Sequence, residues 1–391
     1  DRGLARSRLF SWSRAVDIIL RDVRNEVAKP IADATKKRRI VYEGQILRYG
    51  LESNASRSGI YVASYEILRS LQQRDDLIVD LWVEPQYRAE VAKYLRLHPE
   101  LRNVEINCEE FKDRYQQMID TLVSYRAPDH VFDLKGMECF FWLVYKSFRW
   151  SLIRAIRLYR KLVQYIVRPK GFEGCAAFFS PVFLIPEKIV RLGIPRYTVL
   201  YDAIPMLFPQ FYAHATEEMW TSVLARSLKK DDHCFAISEC TKRDFRRFAP
   251  NLDPKKVDVI PLAAAERFYP CTDRSKIEAT LGKYKLPTDK RYFLSLCTIE
   301  PRKNLTFALK AFAEFAKRDK DTIFILAGGG WNAYSAKWKE SLKSVSAVRN
   351  RIYMPGYVAD EDLSPLYSGA RAFVYMSIYE GFGLPPLEAM Q

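Results

Sequence analysis

The sequence predicts an α/β protein of two Rossmann-like domains facing a central cleft. Three observations carry this. Short apolar runs alternate with helical patterns from residue 39 to 262, and again from 291 onward. A polar, proline-broken stretch, 266–289, separates the two series. Strand–helix–strand order calls for parallel strands joined by crossover helices, and such sheets bind ligands beyond the carboxyl ends of their strands.

At 391 residues the chain is long enough for two domains. Its 48% hydrophobic and 28% charged residues describe a globular protein, not a disordered one. A net charge of +15 favours an anionic partner: nucleotide, nucleic acid or anionic lipid. No recognised nucleic-acid motif accompanies it, so nucleic acid is not expected. The seven cysteines form no CxxC pair and read as reduced thiols, which points to a cytoplasmic location. With four dispersed histidines, no structural zinc is expected. No run of about 18 uncharged apolar residues exists, so no membrane span is expected. The sequons "NAS" (54–56) and "NLT" (304–306) are then chance matches.

The first segment, 1–38, is an amphipathic helical segment. Leu9, Trp12, Val16, Ile19, Leu20, Val23 and Val27 recur at helical spacing among arginines. Two readings stay open: a helix docked on the domain, or a helix lying on a membrane surface. The first domain, 39–265, opens with a strand in "RRIVYEGQIL", a loop and helix in "SRSGIYVASYEILRSLQQ" and a strand in "DLIVDLWV". Gly59, where loop meets helix, lets backbone approach a ligand closely or serves a simple turn. A helical insert, 109–170, breaks the alternation. Its basic and aromatic residues suit either a membrane interface or a solvated basic face. "AAFFS", "RYTVLYD", "HCFAIS" and "VDVIPL" then read as strands, with Ser238 as the N-cap of "SECTKRDFRRF". The linker is 266–289. The second domain, 290–391, offers strands in "RYFLSLC", "DTIFILA", "RIYMPGYV" and "AFVYMS".

Two stretches carry chemistry. "IYEGFGLPP" leads from a strand into a helix beginning near Pro385 or Pro386, where a missing N–H costs nothing. The amides of Phe382, Gly383 and Leu384 would then meet the positive end of a helix dipole, a geometry for phosphate. Glu380 and Glu388 flank this loop and suit sugar or ribose hydroxyls better than phosphate; a plain first-turn glutamate is the bland alternative for Glu388. In "CTIEPRKN", Arg302 and Lys303 open a helix, where cations oppose the dipole. An anion held between them removes the conflict, and a diphosphate suits a guanidinium and an ammonium. "DED" at 360–362 imitates a metal-binding motif but fits the acidic first turn of a helix.

Taken in order, "YDAIPMLFP", "EPRKNL" and "GYVADEDLSPLYSGARAFVYMSIYEGFGLPPLEAM" resemble the retaining GT-B glycosyltransferases of family 4. The resemblance is strongest over 291–391, weaker over 40–265, and leaves out 1–38 and 109–170. It implies that Arg302 and Lys303 bind the donor diphosphate, Glu380 the donor sugar and Glu388 the ribose. The amides of Phe382, Gly383 and Leu384 would hold phosphate, and backbone at Tyr357 and Val358 would face the base. Gly59 would lie near the diphosphate from the other domain. Asp202 matches the aspartate of a His-Asp pair, but Tyr201 replaces the histidine and Cys297 a usual glycine. The family pattern continues past Gln391, so the resemblance implies an incomplete second domain.

The implied reaction moves a sugar from a nucleotide-diphospho-sugar, GDP-mannose or a UDP-sugar, to a glycan or lipid-linked acceptor in bacterial-type polysaccharide assembly. Retention implies attack on the face the leaving group vacates, with no side-chain base required; preorganised cations and amide dipoles make a metal unnecessary, and no cofactor is expected. The basic, aromatic helices suggest peripheral association with an anionic inner membrane face. The alternative is a nucleotide-sugar binding or epimerase-like enzyme that transfers to no acceptor.

Overall fold

The computed structural model describes residues 7, 9–26, 37–51, 59–101, 104–107, 144–155, 158, 171–212, 220–329 and 335–391. The sequon at 54–56 and most of the insert lie outside these. Two parallel sheets form. The first runs β3-β2-β1-β4-β5-β6-β7. Its strands are β1 (Arg38–Glu43), β2 (Leu77–Trp82), β3 (Glu105–Asn107), β4 (Cys175–Ser180), β5 (Arg196–Leu200), β6 (His233–Ala236) and β7 (Val257–Val259). The second runs β10-β9-β8-β11, with β8 (Tyr292–Leu296), β9 (Ile323–Ala327), β10 (Ile352–Gly356) and β11 (Ala372–Phe373). Strands β4, β5, β6 and β9 are near-continuous apolar runs because helices cover both faces of such sheets.

The amphipathic pattern near the start forms the helix Trp12–Glu26. Trp12, Val16, Ile19, Leu20 and Val23 are all buried in the first domain's core, against the helix Gly59–Gln72. From Trp12 to Val23 its apolar stripe is therefore covered by protein. Among the described residues this favours the reading of a helix docked on the domain, with Leu9 the exposed member of the stripe.

Three boundaries differ from expectation. The first strand ends at Glu43, and Gln45–Leu51 coils into a 3-10 helix started by Leu47 N–H bonding Gly44 O at 3.1 Å. The stretch 266–289 is not simply a linker. It contains the helix Arg274–Lys283, capped by Asp273, which packs beside the helix Asp360–Ser368, and Leu281 and Leu286 enter the second core. The strand expected over "AFVYMS" is only Ala372–Phe373. Val374 N–H still bonds Leu294 O at 2.7 Å, but Ile378 N–H bonds Arg302 O at 2.9 Å. The chain leaves the sheet to follow the loop after β8.

Among the described residues, no helix is long and apolar enough to cross a membrane. Of the insert, a helical stretch over 144–155 is described, with Phe148 67% and Trp150 63% exposed.

Candidate active site

Strand order explains why the two motifs meet. β8 and β11 are neighbours, and chain order reverses between them. Loops leaving the carboxyl ends of such a pair share one crevice. The loop after β8 carries the 3-10 turn Pro301–Lys303. The loop after β11 carries Ser377 to Gly383 and runs into the helix Leu384–Met390, with prolines in its first turn.

The two loops close around a charge cluster. Arg302 is buried, and its Nη1 donates to Tyr379 O at 2.8 Å and lies 2.7 Å from Glu380 Oε1. Lys303 Nζ reaches the same oxygen at 2.7 Å, and Ser377 Oγ donates to it as well. Arg302 Nη2 lies 3.3 Å from Glu300 Oε2. Lys303 Nζ also sits 3.4 Å from Tyr375 OH. Burial works to raise the Glu380 carboxyl, but Lys303, Ser377 and Arg302 outweigh it and hold the pKa below the ordinary value. Burial pulls the other way on Arg302, where Glu380 and Glu300 prevail and keep the guanidinium charged. Arg302 Nε is buried with no hydrogen-bond partner.

Glu388 stands apart on the helix Leu384–Met390. Burial pushes its carboxyl up to about 7, partly offset by the Tyr367 hydroxyl, which donates to Oε2 at 3.0 Å. Gly383 has φ +97°, a left-handed turn that glycine adopts without strain. Phe382 and Leu384 point their side chains into the first domain's core, so the loop spans both domains.

The first domain contributes the turn after β5. Asp202 feels Arg302, Lys303 and Glu380, and its Oδ1 accepts from Ile204 N–H at 3.1 Å. Burial raises its carboxyl pKa. Tyr201 is buried, with its hydroxyl 3.1 Å from Ser64 Oγ, so the side chain faces the domain interior. Gly59 opens its helix directly opposite Leu384: a Cβ there would stand 3.3 Å from Leu384 Cδ1. Tyr357 and Val358 follow β10, at the far edge of the second sheet from β11. Tyr357 is 41% exposed and Val358 is buried. Asp360 of "DED" lies 3.5 Å from Arg267, and Asp362 pairs with Lys283 and Tyr284.

The structure thus brings Arg302, Lys303, Glu380 and Asp202 together, and adds Glu300, Tyr375, Ser377 and Tyr379. Glu300 lies inside "CTIEPRKN", and Ser377 immediately precedes "IYEGFGLPP". Tyr212 stands near Arg302 from the first domain: burial raises its phenol pKa and the guanidinium opposes the rise. Nothing local in the sequence marks it, because only the closed cleft places it there.

Residues 276–391 match the Glycosyl transferases group 1 family. The match begins within the helix Arg274–Lys283, which the packing also assigns to the second domain. The chain is similar to the serotype-specific mannosyltransferase WbdA of Escherichia coli, 28% identical over 226 residues, 56% of this chain and 26% of WbdA. It is similar to the O-antigen chain mannosyltransferase B of Escherichia coli, 30% identical over 217 residues, 54% of each chain. The matched stretch thus spans about half the length of these relatives or less. Two solved structures share the GT-B fold at 14% identity, each with a TM-score of 0.51. HepE from Anabaena, in complex with UDP and glucose, is covered over 78% of its length by 90% of this chain. The sucrose-phosphate synthase of Thermosynechococcus elongatus is covered over 79% by 90% of this chain. Within the matched residues, the crevice between β8 and β11 holds both charged motifs.

Proposed function

We propose that the protein is a retaining hexosyltransferase. It moves a sugar, mannose from GDP-mannose or a hexose from a UDP-sugar, to a glycan or lipid-linked acceptor in polysaccharide assembly. The observation that carries this is the convergence of Arg302 and Lys303 on Glu380 at the crevice within the residues that match the Glycosyl transferases group 1 family. Departure of a nucleoside diphosphate develops negative charge, and fixed cations in a closed cleft stabilise it. Arg302 and Lys303 are those cations, with the Phe382–Leu384 loop at the phosphates. Both cations use Oε1 of Glu380, which leaves Oε2 to accept from a donor-sugar hydroxyl. Glu388 takes the ribose, and backbone near Tyr357 and Val358 the base. Asp202 lines the cleft beside Arg302, and Gly59 keeps the facing wall low. With two cations supplying the countercharge, the reaction runs without metal. A donor phosphate oxygen takes the acceptor proton, and closure limits hydrolysis.

The test is calorimetric titration of GDP and UDP in EDTA, on the chain and on Arg302→Ala. Metal-independent micromolar binding of one nucleotide, weakened at least a hundredfold in the variant, is the expected result. Binding that survives Arg302→Ala would remove the diphosphate role.

The acceptor is reached at an anionic membrane face. Phe148 and Trp150 are exposed, and Arg154 lies 5.3 Å from the Trp150 ring centroid. Aromatic rings beside cations suit a lipid interface. The full-length protein should sediment with phosphatidylglycerol vesicles at low salt and stay in solution with phosphatidylcholine vesicles. Equal behaviour with both would defeat this part.

A further inference from the structure

The loop that carries Glu380 does not stand free in the cleft. Its three central residues dock on the first domain, each by a different contact. The Tyr379 hydroxyl donates to Asp244 Oδ2 at 2.6 Å, and its ring lies 5.4 Å from that of Phe208. The Gly381 carbonyl accepts from Ser238 Oγ and, at 3.4 Å, from Thr241 Oγ1. Phe382 meets Phe10 edge-on at 5.9 Å. Asp244, Thr241 and Ser238 belong to one element, the helix Glu239–Phe248 and its N-cap. Ser238 Oγ also accepts from Thr241 N–H at 3.1 Å, which fixes the hydroxyl in place. Thr241 Oγ1 donates to Tyr201 O at 3.0 Å, which ties the same point to the end of β5.

The fit at Gly381 is tight. A Cβ there would stand 2.5 Å from Tyr201 O and 3.0 Å from Asp202 Cβ. Backbone occupies the space any side chain would need. On the other side, Tyr379 O accepts from Arg302. One short segment therefore links a first-domain helix to the cation that holds Glu380. Asp244 is buried although its helix is mostly basic and exposed around it. A buried carboxylate needs a partner, and Tyr379 supplies one from the other domain.

We infer that Asp244 and Ser238 are positioning residues: they seat Tyr379 and Gly381 and so hold Glu380 in register with Arg302 and Lys303 when the cleft is closed. The catalytic consequence rests on the transferase reading; the seat does not. Without the seat, Arg302 and Lys303 still sit within the second domain, but Arg302 loses its fixed partner at Tyr379 O and the 382–384 amides lose their fixed place at the phosphates, so nucleotide affinity falls as well. The fixed position of Glu380 against the donor sugar is lost with them.

The experiment compares the chain with Asp244→Ala, Asp244→Asn and Gly381→Ala. Amide hydrogen exchange is followed over peptides covering 377–384, with β8 and β9 as the internal reference. Asp244→Ala and Gly381→Ala should speed exchange in 377–384 roughly tenfold or more, the cost of a hydrogen bond to a charged group, and leave β8 and β9 unchanged. Asp244→Asn keeps an acceptor oxygen and should stay near the parent. Alongside, nucleotide release from GDP-mannose or UDP-glucose in water should fall in kcat by roughly the same factor. The dissociation constant for GDP or UDP should rise in Asp244→Ala and Gly381→Ala, because the 382–384 amides belong to the loosened segment, and stay near the parent in Asp244→Asn. Unchanged exchange in both Asp244→Ala and Gly381→Ala would overturn the seat. Equal loosening by Asp244→Asn and Asp244→Ala would overturn the hydrogen-bond role of Asp244. If the parent chain binds neither GDP nor UDP, the transferase reading fails, and the exchange data still decide the seat.

Discussion

The two carboxylates that flank the glycine loop are the same residue type, eight positions apart, in opposite surroundings. Glu380 lies between Arg302 and Lys303 and is held ionised. Glu388 has a phenol for its hydrogen-bond partner and no cation bonded to it among the described residues, and burial pushes its carboxyl up to about 7. Burial raises both; only the cations at Glu380 reverse it. The motif spacing thus supplies two acceptors, but their charge is set by what the fold places beside them. Glu380 is one member of an electrostatic cluster. Glu388 is a buried acid whose ionised form is costly until a ligand hydroxyl reaches it.

The sharpest way to break this comparison is to neutralise each carboxylate in turn. Glu380→Gln leaves Arg302 and Lys303 close together without their shared anion. A buried charge that loses its partner costs about 3 kcal/mol, so urea denaturation should show a loss of that order. The same change adds one net positive charge where the diphosphate is proposed to sit. GDP or UDP should therefore bind more tightly, and should raise the melting temperature more in Glu380→Gln than in the parent. Transfer should still fall, because the sugar hydroxyl meets a weaker, uncharged amide in place of a carboxylate acceptor. Glu388→Gln should do the reverse: no loss of stability at pH 8, and weaker nucleotide binding. Parallel behaviour of the two variants would mean that their environments do not differ in the way described.

The cluster was legible in the sequence because its members lie in two short motifs that both follow strands. Arg302 and Lys303 stood out by opposing a helix dipole, and Glu380 by bracketing a glycine loop. What joined them was topology: β8 and β11 are far apart in the chain and adjacent in the sheet. The strand alternation was legible for the same reason that parallel sheets are, since buried strands read as apolar runs. Ends were not. "AFVYMS" reads as a strand throughout, yet Ile378 bonds Arg302 O instead of the sheet. The polar pattern of 266–289 hid the helix Arg274–Lys283, which buries only one side of its surface. Tyr212, Asp244 and Ser238 belong to the first domain, and no local pattern announces a contact made across a cleft. Tyr201 fills a site position in the sequence, and the fold turns its hydroxyl to Ser64 while its carbonyl meets the Gly381 turn.

The comparison can be sharpened by pH. Glu388 ionises near 7 in the folded chain, against an ordinary value of 4.5. Between those values the native state holds a proton that the unfolded state has lost, so stability falls as pH rises through the window. Glu43, buried at the end of β1 and pushed up to about 8 by burial, has the same sign and extends the window to pH 8. Glu380 has the opposite sign, because its folded pKa is depressed. Its contribution is present above pH 4.5 and is lost only as pH falls below that. Between pH 5 and 8 the raised carboxyls therefore govern, with Asp202 and Glu66, also raised by burial, adding the same sign, and the loss should be on the order of several kcal/mol. Urea midpoints at pH 5 and pH 8 measure it. Glu388→Gln should flatten the part of the slope below pH 7 and leave the part between 7 and 8, which belongs to Glu43. A slope of unchanged shape in Glu388→Gln would show that Glu388 is not the group that titrates. Nucleotide affinity gives the complementary reading. If the ionised Glu388 accepts from the ribose, binding should tighten as pH rises through about 7 in the parent, and that dependence should vanish in Glu388→Gln.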